Sequence, residues 1–130
     1  MRHNRKSPLA GAPSHRRRKT YSAGSGYVYQ YQYQGYRVVA DSGGSATEYV
    51  FDVSADRKSS FAVSVLVADD ATRAWERSRS RDLTSVERYA VAKMALFGAF
   101  DNREQPSLMR EPVWVREAEV EEILATLGID

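Results

Sequence analysis

From Tyr27 to Tyr33 the chain alternates with period two: Tyr27, Tyr29, Tyr31 and Tyr33 share one face, and Val28, Gln30 and Gln32 share the other. Such alternation in aromatic and β-branched residues predicts a half-buried strand. The phase breaks at Gln34-Gly35 and resumes over Tyr36-Arg37-Val38-Val39-Ala40. A bulge inside one long strand would repair the break, and so would a two-residue hairpin turn. We read a hairpin, which sets Tyr33 opposite Tyr36, Tyr31 opposite Val38 and Tyr29 opposite Ala40.

Gly43-Gly44 marks the next turn. Alternation returns over 47–53, with Tyr49, Phe51 and Val53 inward, and over 61–67, with Phe61, Val63, Val65 and Val67 inward. The period then lengthens. Asp69-Asp70 suits a helix start, and a short helix runs from there to the arginine-serine stretch 77–81. Thr84 and Glu87 have the spacing of a capping box, opening a helix over 84–100. Its expected apolar stripe is Val86, Tyr89, Ala90, Met94 and Phe97, widened by Val91, Ala95 and Leu96, with Phe97 in the core. Val113-Trp114-Val115 reads as a short extended piece, and 118–127 as a last helix with an acidic first turn. The predicted fold is α+β: an antiparallel N-terminal meander of three to four strands, then helices packed on one face.

Charge divides the chain in two. Residues 1–26 hold Arg2, Arg5, Lys6, Arg16, Arg17, Arg18 and Lys19 and no acid, whereas residues 27–130 hold the other 12 bases and all 17 acids. The net charge of +2 conceals this asymmetry. Residues 1–26 are also rich in Gly, Pro and Ser and poor in large apolar side chains, the composition of a segment that cannot offset its ordering entropy. We therefore expect a disordered, flexible basic arm over 1–26 and a single α+β domain over 27–130. The basic stretch runs into Tyr21-Ser22-Ala23-Gly24 without the apolar run of a secretory signal. The expected location is the cytoplasm, and no membrane partner is expected.

The chemical inventory is short. The chain has no cysteine, which removes disulfides, thiolate metal sites and thiol nucleophiles. Its two histidines, His3 and His15, both fall in the arm. Gly24-Ser25-Gly26 and Gly43-Gly44 lack the spacing of a phosphate-binding loop. No catalytic residue, metal ligand or cofactor is assigned, and the residues argue against an enzyme.

Two features suggest binding. The cations Arg16, Arg17, Arg18 and Lys19 suit contact with nucleic-acid phosphates; Arg77, Arg79 and Arg81 could also clamp phosphates, converging only if the chain is extended there, or could be a solvated helix end. The tyrosine face is the inner side of the sheet under helix 84–100, a stacking platform for unpaired bases or, if the hairpin is an exposed edge, a Tyr/Gln self-association seam, and the acidic body favours the inner side. The expected function is a small, non-enzymatic macromolecular-interaction domain, with a protein partner or self-association. The alternative is nucleic-acid binding of low sequence specificity through the basic arm, to DNA or RNA.

Overall fold

Residues 7–41 and 43–130 are described by a computed structural model, the side chain of Asp41 excepted. The meander is built on β2 (Val28–Asp41), β3 (Gly44–Ser54) and β4 (Phe61–Ala68), all antiparallel. β1 (Lys19–Ser22) pairs antiparallel on the outer edge of β2, and β5 (Val113–Val115) pairs parallel to β4. The sheet order is β1-β2-β3-β4-β5. Helices α1 (Asp69–Arg79) and α2 (Ser85–Asn102) follow β4, and α3 (Glu117–Thr126) follows β5. The chain is thus α+β, with five strands rather than three or four. None of the helices among the described residues is long and apolar enough to cross a membrane.

The hairpin expected at Gln34-Gly35 does not form. Tyr33 lies opposite Phe51 and Gly35 opposite Val50, so Gln34 is the extra residue of a bulge within one long strand. The bulge restores the phase, and Tyr36 lies opposite Tyr49. Gly35 has φ 134°, and a Cβ there would sit 2.6 Å from the carbonyl oxygen of Ala10. Glycine is needed for the backbone conformation and for the close approach of the N-terminal chain.

That approach overturns the expectation of a flexible arm for its described part, residues 7–26. The Ala10 amide donates to the Tyr36 carbonyl at 2.7 Å, and the Tyr36 amide donates to the Ala10 carbonyl at 2.9 Å. Within β1, the Tyr21 ring stacks on Phe97 with centroids 4.2 Å apart. Its hydroxyl donates to Asp101 at 2.9 Å, and the Gly24 amide donates to the same carboxylate at 2.8 Å. Composition misleads here because strand pairing satisfies backbone groups whatever the side chains are, and one aromatic ring supplies the anchoring burial. Arg2, His3, Arg5 and Lys6 lie outside the described residues.

Tyr29, Tyr31, Phe51, Val53, Val63, Val65, Val113 and Val115 form the inner side of the sheet. Against them pack Ala71 and Trp75 of α1, Leu96 and Phe100 of α2, and Val120 and Leu124 of α3. The buried stripe of α2 is Val91, Ala92, Leu96 and Phe100: the expected flank at Val91 and Leu96 is buried, and the expected centre line is rotated off the core. Val86 is 74% exposed, and Phe97 is only half-buried. The helix is apolar on several sides because it meets both the sheet and α3, so periodicity alone does not fix its deepest side.

The capping box forms as expected. The Glu87 amide donates to Thr84 Oγ1 at 3.1 Å, and the Thr84 amide donates to the Glu87 carboxylate at 2.9 Å. Thr84→Ala is expected to cost about 1 kcal/mol in chemical denaturation. Glu87 also accepts two bonds from Arg81. That pairing first, and the Thr84 amide second, hold its carboxyl at about 2 against an ordinary 4.5. A carboxyl whose folded pKa is depressed contributes stability above its unfolded pKa and loses it as pH falls toward the folded one. Stability should therefore decline between about pH 4.5 and pH 2, and Glu87→Gln should flatten that part of the curve. An unchanged acid limb in Glu87→Gln would remove Glu87 from the account.

Candidate nucleic-acid interface

Pairing of β1 with β2 fixes the direction of the chain before it, so 13–19 runs beside the open end of the inner sheet face. There His15, Arg17 and Lys19 line a hollow of about 310 Å³ with Tyr31, Tyr33 and Tyr89. A second hollow of about 510 Å³ is lined by Tyr36, Tyr49, Val86 and Arg88 and shares Gly11, Tyr33 and Tyr89 with the first. The Tyr33 and Tyr89 rings lie 4.7 Å apart at an angle of 56°. Together the hollows make a trough with an aromatic floor. It stays open because α2 begins at Ser85, and its first turn borders the sheet without covering it.

The tyrosine face thus divides. Tyr29 and Tyr31 are buried in the core, with Tyr29 stacked on Phe100 at 4.2 Å. Tyr33 and Tyr89 are half-buried and Tyr36 is exposed. Burial raises the phenol pKa of Tyr31, Tyr33, Tyr49 and Tyr89, so the trough is floored by neutral rings at physiological pH. Lys93 of α2 is pushed down from its ordinary value, first by burial and then by Lys19.

The basic residues differ in their engagement. Arg18 pairs with Asp52 at 3.3 Å. Among the described residues, Arg16, Arg17 and Lys19 make no ion pair, and all three are exposed. Arg79 pairs with Glu121 of α3 at 3.0 Å, and Arg81 pairs with Glu87 at 3.0 Å and donates to the Asp130 carbonyl. The guanidinium carbons of Arg79 and Arg81 lie 5.2 and 5.1 Å from the centroid of the Trp75 ring. These two arginines bind α1 to α2, α3 and the C-terminal residue; Arg77 is exposed. The stretch is helical through Arg79 and turns at Ser80 rather than being extended.

Tyr89, His15 and Arg88 were not singled out for this role by sequence reasoning. Tyr89 comes from a different element, and only the α2 packing puts it beside Tyr33. The one local signal was the tyrosine alternation itself. Among the described residues, no group of three or more His, Asp or Glu side chains is placed to hold a metal ion. Comparison of the chain with protein-family models, curated proteins and solved structures returned no match.

Proposed function

We propose that the protein is a small macromolecular-interaction domain whose partner is nucleic acid, held with low sequence specificity along Arg16–Lys19. The observation that carries this reading is the placement of Arg16, Arg17 and Lys19. All three are exposed and without carboxylate partners among the described residues; Lys19 opens β1, Arg17 and Lys19 line the tyrosine-floored trough, and Arg16 immediately precedes them. Phosphates need cations that are not already neutralised, and an anchored segment loses less freedom on binding than a free tail. Specificity is low because no basic helix face is presented to a groove.

The test is a titration of labelled single-stranded oligonucleotide with the full chain at several salt concentrations. Engagement of three to four cations predicts a log–log salt slope of about −2 to −3 for a single strand. Arg16→Glu with Arg17→Glu lies outside β1, leaves the strand pairing in place, and should weaken binding by about tenfold or more. Binding that is insensitive to both salt and this double variant would overturn the reading.

A further inference from the structure

The trough has features that phosphate contact alone does not require. Three accessible tyrosines from two elements floor it, Tyr33 and Tyr36 of β2 and Tyr89 of α2, with the buried Tyr49 of β3 beneath them. Val86, 74% exposed, stands at its lip. The cationic side is Arg17 and Lys19, with His15 on the same wall. Arg88, at the other end, is held by Glu76 at 2.7 Å. The two hollows, about 310 and 510 Å³, are each within the range of small-ligand sites and meet at Tyr33 and Tyr89.

Resting on the nucleic-acid reading above, we propose that this trough seats unpaired bases, so that the ligand is single-stranded nucleic acid with successive bases against the tyrosines and phosphates against Arg17 and Lys19. The charge layout favours this occupant over an apolar peptide, since cations line one side of an otherwise aromatic floor. A base presents a flat π face to a tyrosine whatever its identity, so the trough adds affinity without adding sequence preference. In a duplex the bases are already stacked and cannot enter.

The experiment compares a short oligothymidylate with an abasic deoxyribose-phosphate strand of the same length and charge, titrated into the full chain at fixed salt. The oligothymidylate should bind about tenfold tighter, the range expected for stacking of one or two bases on aromatic rings. Tyr89→Leu keeps apolar volume but removes a ring. It should bring oligothymidylate down toward the abasic strand while leaving abasic affinity and the salt slope unchanged. The abasic comparison uses the unaltered protein, so it stands even if the variant folds poorly. Equal binding of both strands, with the expected salt slope, would overturn the base-seating inference and leave the phosphate reading intact. Failure of both strands to bind would overturn the phosphate reading itself, and this inference with it.

Discussion

Phe100→Ala is expected to destabilise the protein by about 3–5 kcal/mol, read as a shift of the denaturation midpoint in urea at constant slope. Phe100 is fully buried. Its ring stacks on Tyr29 at 4.2 Å and lies within 5.8 Å of Tyr21 and 6.4 Å of Tyr31. Removing it empties the point where β1, β2 and α2 converge, and rings held by strand pairing cannot collapse into the space. Phe97 tests the helix rotation from the other side. It is half-buried, between Tyr21 and Tyr31. Phe97→Ala should therefore cost less, about half as much, in proportion to the area it hides. If Phe97→Ala proves the more damaging, α2 faces the sheet differently from the arrangement described.

Removing residues 1–22 should cost roughly 2–4 kcal/mol while leaving a folded protein, measured by chemical denaturation of the truncated chain. The truncation takes away β1 and with it the Tyr21 ring on Phe97, worth about 0.5–1.5 kcal/mol beyond its burial. It also takes away the Tyr21 hydroxyl bond to the Asp101 carboxylate, a bond to a charged group worth about 1.5–3 kcal/mol. The ordering entropy of the deleted residues offsets part of this loss. β2 to β5 and all three helices keep their core, so the remainder still folds. A truncated chain as stable as the whole would mean that β1 does not hold its place in solution. The same reasoning makes truncation a poor probe of nucleic-acid binding, because it disturbs the trough as well as removing the cations. Charge reversal at Arg16 and Arg17 separates the two effects.

Much of the architecture is legible in local patterns. The alternation of Phe61–Val67, the capping box at Thr84 and Glu87, and the acidic start of α3 each report a property that neighbouring residues fix by themselves. What escapes is set by partners far along the chain. Whether Gly35 makes a turn or a bulge depends on the length of β3 beside it and on Ala10 pressing from the other edge. That Val113-Trp114-Val115 becomes a parallel strand depends on β4. Over residues 7–26 the arm departs from the expectation because composition says little about pairing, and β1 is held chiefly by backbone bonds and one tyrosine. For the candidate interface, the cations and the tyrosine run were both visible in the sequence. Their juxtaposition was not, because Tyr89 and Arg17 meet only through α2 and β1.

The anchoring of the N-terminal chain has a consequence for β2 itself. A strand that alternates tyrosine with glutamine has the makings of a self-templating segment: β-prone, uncharged over most of its first half, and identical to itself in any second copy. Such a segment is dangerous only where its backbone is left open. Here β3 occupies one side of β2 over most of its length, while β1 occupies the start of the other side and Ala10 the stretch around Tyr36. Charged Arg16–Arg18 lies between these two points. The N-terminal chain thus covers parts of the edge of β2 on which a second copy of the strand would have to pair.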